Sequence, residues 1–302
     1  MKKGITHSNG LSSLRGYFLG PKGRETSFLG DGDLFTAFYV DGNAGSDSDD
    51  GKSWATAVKT VAQGIALSDD DIAKTNHGDR RNRLYINGGA YTESLVRFPE
   101  KTDIIGVGVT DYIGKAKLIG VQVPTTAVSS CRWINMAFQN VTAAETVKLA
   151  AGNHGASFIN CDFLGNGTTT VGLKVSDSFH LEVNGCEFYG NGDDNLKQLI
   201  GISIAGTTNN QNIRIVNNYI NAAVGITIAD SNNVSGVIDN NVLDVTTLAI
   251  DENADLMIVS NNTWISAAVV ASSYDLAVTK SVNNLATGSD ATRAVPQVEA
   301  PE

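Results

Sequence analysis

Asp162 and Glu187 stand 25 residues apart in segments that read alike, Asn-Cys-Asp-Phe and Gly-Cys-Glu-Phe, each carboxylate directly before a phenylalanine. Two carboxylates brought side by side push one pKa upward, and such a pair is the minimal equipment of a retaining glycosidase. The same pair is also a candidate part of a cation site. The plainer reading is two solvated carboxylates on a charged face, so Asp162 and Glu187 enter as catalytic candidates and no other catalytic residue is singled out. Asp41, Asp47, Asp49 and Asp50 crowd one short loop, but the ligand order of an EF-hand is missing and Asp-Gly turns account for such loops. Cys131, Cys161 and Cys186 lack zinc-ligand spacing and are expected as reduced thiols, with Cys161 and Cys186 as small core residues. His77, His154 and His180 have no Cys or His at ligand spacing, so no metal site and no cofactor are expected. Tyr189, Tyr219 and Trp264 are candidates for a sugar-stacking surface, although Trp264 falls at a core position.

Whether these residues meet depends on a repeat. Phe138, Phe163, Phe188, Ile220, Leu243 and Trp264 follow one another at spacings of 25, 25, 32, 23 and 21 residues, within the range of solenoid coils. Two positions before each anchor stand Met136, Cys161, Cys186, Asn218, Asn241 and Asn262; three before stand Asn135, Asn160, Gly185, Asn217, Asn240 and Asn261. Equal phase in successive coils stacks these side chains about 4.8 Å apart, so the pairs Asn217/Asn218, Asn240/Asn241 and Asn261/Asn262 are expected to form a structural amide ladder. VGLKV (171–175), IGISI (200–204), VGITI (224–228) and TLAI (247–250) mark a second strand per coil, and HLEV, IRIV, GVI and LMIV a third. Three short strands per coil describe an all-β, right-handed, three-sided parallel β-helix. Apolar residues at helical spacing over about 56–67 predict a capping α-helix over its open end.

The segment FYVDGNAGSDSDDGKSWATAVKTVAQGIALS, followed by LYINGGAYTESLVRF and DIIGVG, resembles the opening of pectate-lyase-like right-handed β-helix proteins: a strand, a D-G-x-x-G-S-D loop, an aromatic, a capping helix and a first coil with G-x-Y-x-E. The resemblance covers about residues 37–285. It implies the fold, and it leaves function open among lyases, hydrolases, phage tailspikes, adhesins and structural virion proteins. Polygalacturonase-like members imply a Gly-His-Gly motif after the carboxylates and then Arg-x-Lys. Here Asn153-His154-Gly155 precedes Asp193-Asp194 and no Arg-x-Lys follows. Pectate lyases imply an Arg base among acidic residues, and Arg214 stands alone in the later coils.

Charge adds a division of the chain. Residues 1–24 carry Lys2, Lys3, Arg15, Lys22 and Arg24 without Asp or Glu, so a formal charge of −10 for the chain leaves −15 on the rest. With Tyr17 and Phe18 among them, these residues read as an attachment arm (1–36) ahead of a β-helix (37–285) and a flexible acidic tail (286–302). The acidic body argues against nucleic acid as a partner, and no apolar run is long enough for membrane insertion or has the form of a secretory signal. These features lead to the expectation of a structural virion protein, a capsid decoration, head fibre or short tailspike, made in the host cytoplasm and assembled into the virion. Its expected partners are two further copies in a homotrimer, other virion proteins through the arm, and host-surface glycan. A polysaccharide-degrading or glycan-binding enzyme and a bacterial surface adhesin are the alternatives.

Overall fold

A computed structural model describes residues 35–74, 81–108, 114–125, 130–140, 142, 145–149, 154–167, 171–190, 197–205, 210–229, 234–252, 256–265, 271–274 and 280–287. The arm residues Lys2, Lys3, Arg15, Tyr17, Phe18, Lys22 and Arg24, as well as His77, Asp193 and Asp194, lie outside them.

The described chain winds as a parallel β-helix. One sheet has ten strands in the order Ala37–Val40, Asn82–Asn87, Thr102–Val107, Arg132–Ile134, Ser157–Ile159, Glu182–Asn184, Ile213–Val216, Ser235–Asp239, Leu256–Ser260 and Lys280–Val282, each parallel to the next. A second, bent sheet begins one turn later in each coil. On one of its sides lie strands such as Met136–Gln139, Asp162–Gly165 and Glu187–Gly190; on the other, Val147–Leu149, Val171–Ser176 and Gln198–Ala205. The two sides merge where Tyr219–Ile228 and Val242–Glu252 run through the bend, and the register slips between Ala222 and Val224. Gly225 sits at this corner, where a Cβ would meet the Ala249 carbonyl oxygen at 2.4 Å. Each connection returns the chain to the same sheet in parallel, giving the right-handed, three-sided solenoid that the sequence predicts.

The anchors form the axis of the core. Phe138 stacks on Phe163 (centroids 5.3 Å apart), Phe163 on Phe188 (4.4 Å, interplanar angle 2°), and Ile220, Leu243 and Trp264 continue the column in register. All six are buried, which places Trp264 in the core. The residue three before each anchor turns the chain between the two sheets. Asn135, Asn160, Asn217, Asn240 and Asn261 all have φ between 52° and 59°, and Gly185 has 63°. Asn and Gly tolerate this left-handed conformation best, which explains the composition of that column.

The helix caps the first coil but is shifted along the chain from the predicted 56–67. Residues Trp54–Thr56 form a 3₁₀ turn whose N-cap, Ser53, accepts from the Thr56 N–H; helix α1 spans Val61–Lys74. The physical reason is a distant cap: the Glu93 carboxylate accepts from the N–H groups of Val61 (2.9 Å) and Ala62 (2.9 Å), so the helix starts where those donors are met. Helix α1 lays Val61, Gly64, Ile65 and Ser68 on the first strands. At Gly64 a Cβ would come within 2.7 Å of Val40 and 2.8 Å of Leu84, so glycine permits the close approach.

Candidate functional site

The residues that carry the opening motif are used internally. Asp41 accepts from the N–H groups of Asn43 (2.9 Å) and Ala44 (3.1 Å) and from Asn87 Nδ2 (3.0 Å). Hydrogen bonds from Ala44 and Asn43 hold its carboxyl below the usual range. Asp47 accepts from the N–H groups of Lys59 and Thr60 and from the Thr60 hydroxyl. Tyr91 accepts from the Gly42 N–H and donates to the Asn87 carbonyl. With Glu93 on the helix end, the D-G-x-x-G-S-D loop and the G-x-Y-x-E motif lock the cap to the first coil. The carboxylates of Asp41 and Asp47 therefore act as turn and cap acceptors in this loop.

Asp162 and Glu187 do pair in register on adjacent strands, on the side of the sheet away from Phe163 and Phe188. Their environments differ from the two solvated carboxylates of the plainer reading. Glu187 is exposed, whereas Asp162 is 2% exposed. Lys115 covers it: Nζ lies 2.6 Å from Asp162 Oδ1 and 3.1 Å from the Asn160 carbonyl, and the lysine is itself buried. Ala137, in register with Asp162 on the preceding coil, is small enough to let the lysine pass. Burial pushes the Asp162 carboxyl up to about 6, with Lys115 opposing and Glu187 adding to the rise. A carboxyl this enclosed cannot reach a glycosidic oxygen while the ion pair stands. The catalytic geometry is thus present in register and absent in access.

Beyond this pair, the same outer face carries Tyr189, Tyr219, Asn221 and Asp244. Tyr219 is in register with Glu187 and Val242, and Asn221 with Asp244. The Tyr219 hydroxyl reaches Asp244 Oδ2 at 3.3 Å, and Asn221 Nδ2 donates to the same oxygen at 3.4 Å. Tyr189 lies near enough to Asp162 to lower its carboxyl. Asn221 and Asp244 were not singled out from sequence. Their signal was the position directly after the anchors, which reads Gln139, Leu164, Tyr189, Asn221, Asp244 and Ile265.

The amide columns are a second concentration of polar side chains. Asn218 Nδ2 donates to Asn241 Oδ1 (2.9 Å), Asn241 Nδ2 to Asn262 Oδ1 (2.8 Å) and Asn262 Nδ2 to Asn284 Oδ1 (2.9 Å). Each of the three amides also donates to a main-chain carbonyl, of Val183, Ile215 and Ile238 in turn. The outer column is looser: Asn240 donates to Asn217 (2.8 Å), while Asn261 turns to Asp239 (2.8 Å). Cys161 and Cys186 occupy the inner phase earlier in the chain as free buried thiols, with the Cys161 N–H 3.4 Å from Cys186 Sγ. Burial raises the Cys186 thiol well above its ordinary range.

Other chemistry-bearing residues have structural partners. Asp103 joins Arg81 (2.6 Å) and Arg132 (2.5 Å); burial alone would raise its carboxyl, but the two guanidinium groups hold it below the usual range. Arg214 lies 3.9 Å from Glu182 on an exposed face, and His154 Nδ1 accepts from the Phe179 N–H. A groove of about 430 Å³ between α1 and residues 93–97 is lined by Ala62, Ile65, Ala66, Leu95, Asp69 and Arg97, the last two paired at 2.9 Å.

This architecture defines the chain as a protein of the parallel β-helix class. No family model and no curated protein matches it. Among solved structures it is similar to pectate lyase Pel9A, at 15% identity over 88% of this chain and 82% of that one, with a TM-score of 0.38. It is also similar to the deglycosylated pectin methylesterase from Aspergillus niger, at 16% identity over 88% and 90%, with a TM-score of 0.34. Likenesses this distant carry no chemistry across, and the class rests on the strand order and register described above.

Proposed function

We propose that the chain is a non-catalytic display solenoid: a structural protein of a phage-like particle, as a head decoration, head fibre or short spike, anchored by residues 1–36. The observation that carries this reading is the use of the chemistry-bearing side chains as scaffold. Asp162 is closed off by Lys115, and Asp41, Asp47, Tyr91 and Glu93 fasten the cap. The excess of positive charge in residues 1–24 over an acidic body suits attachment to an acidic docking surface, with a salt-sensitive bond as the consequence. Copies assemble as a homotrimer through closed symmetry, the usual arrangement for oligomers.

Immunogold electron microscopy on lysates of the producing cell, with antibody against residues 37–302, tests the reading. Gold at fixed positions on virus-like particles is the expected result; gold absent from every particle overturns it. A second reading, a polysaccharide-degrading enzyme, draws on one observation, the raised carboxyl of Asp162 beside exposed Glu187. It requires glycan cleavage that disappears in Asp162→Asn and Glu187→Gln while the fold is retained.

A further inference from the structure

The outer face formed by strands Glu187–Gly190, Tyr219–Ile228 and Val242–Glu252 has a composition that the scaffold alone does not require. Tyr219 is 37% exposed, yet its hydroxyl bonds Asp244, which lies diagonally across the sheet, one coil on and two residues along. Tyr189 leans toward Asp162 and lowers its carboxyl, along the reverse diagonal, one coil back and two residues earlier. A phenol drawn along such a diagonal leans over the strands instead of standing off them. Half-way along these diagonals, the two rings fall at similar positions along the strands and about two coils apart, on the order of 10 Å. Exposed Glu187 stands between them.

A further observation points to a ligand. Asn221 is 7% exposed, and its Oδ1 is buried without a hydrogen-bond partner, while its Nδ2 faces Asp244. A buried acceptor left unpaired is costly, and a donor arriving beside Asp244 would satisfy it.

We infer that this face binds an extended neutral glycan, with Tyr189 and Tyr219 under alternate sugar units and with Glu187, Asp244 and Asn221 accepting from sugar hydroxyls. Aromatic faces pack on the apolar C–H faces of pyranose rings, and carboxylates accept hydroxyl hydrogen bonds. Two carboxylates on the face without a lysine or arginine partner among the described residues, Glu187 and Asp244, repel a polyuronate, so the glycan is not a pectin-like acid. Recognition of this kind deepens the display reading by naming what the displayed face meets. It stands or falls separately from particle attachment, which immunogold scores independently.

The test is an array of neutral, amino-sugar and uronate-containing polysaccharides probed with the full chain and with Tyr219→Ala, Tyr189→Ala and Tyr219→Phe, each checked for unaltered thermal unfolding. The expected result is binding to a neutral glycan that weakens about tenfold in either alanine variant and stays within about threefold in Tyr219→Phe. Binding confined to uronates, no binding to any neutral glycan, or binding indifferent to both alanine changes overturns the inference. Light scattering that shows self-association abolished by Tyr219→Ala also overturns it, by assigning the face to a second copy of the chain.

Discussion

Two stretches of the solenoid solve the same turn with different side chains. In the earlier coils the position two before the anchor is Met136, Cys161 and Cys186, beneath a stack of phenylalanines; in the later coils it is Asn218, Asn241, Asn262 and Asn284, beside Ile220, Leu243 and Trp264. The backbone of the turn is shared, since the left-handed residue recurs in both. What differs is the acceptor that each coil offers to the inward N–H of the preceding coil. Asn241, Asn262 and Asn284 offer an amide oxygen to the N–H of Asn218, Asn241 and Asn262 at 2.9–3.0 Å, whereas the Cys161 N–H has only a sulfur at 3.4 Å. The change-over falls at Cys186, whose N–H already bonds Asn218 Oδ1. Aromatic stacking holds one stretch and a polar column the other, so one fold tolerates two chemistries at one position.

Substitutions in the two columns should separate them. Asn241→Ala leaves the Asn218 N–H without its acceptor in the core and removes one link each from the Asn218 amide, the Asn262 amide and the Ile215 carbonyl, and is expected to cost about 2–4 kcal/mol in urea unfolding. Cys186→Ala removes a weak sulfur acceptor and a small volume, and is expected to cost about 1 kcal/mol. Equal losses at the two sites would break the comparison. Glu93→Ala, outside both columns, removes the carboxylate cap of α1 and is expected to cost about 1–2 kcal/mol, with helix-region amides exchanging faster than those of either column.

A further expected effect is a pH dependence peculiar to the early stretch. The Asp162 carboxyl is raised to about 6 in the folded chain from an ordinary 3.8, so between those values the folded state binds the proton more tightly than the unfolded one. This group therefore favours the fold more as pH falls from about 7 to 4. Wild type is expected to gain in urea midpoint relative to Asp162→Asn over that interval. A difference between the two that does not change with pH would remove Asp162 from the account.

The coils and the amide column were legible because their signals recur in phase: one aligned residue per coil fixes the register, and Asn three before the anchor marks a left-handed turn. The helix start was not, because its cap, Glu93, lies 32 residues after Val61 and local spacing cannot show it. Alternation correctly gave the direction of Asp162 and Glu187, but not the cover over one of them. Lys115 is 47 residues from Asp162 and reaches it across an intervening coil. Tyr189 and Tyr219 were legible as aromatics on the outer face, whereas Asn221 and Asp244 were not, because a polar residue directly after an anchor carries no signal until the register pairs the two.

That reach across a coil has a mechanical meaning. Pulled from its C-terminal end, a solenoid gives way coil by coil, since each contacts only its neighbours. Lys115 ties the strand Asp162–Gly165 to the start of Ala116–Ile119, skipping Met136–Gln139, so three successive coils share one fastening. Peeling that proceeds in single steps through the amide column would meet a rivet there and need those coils to yield together.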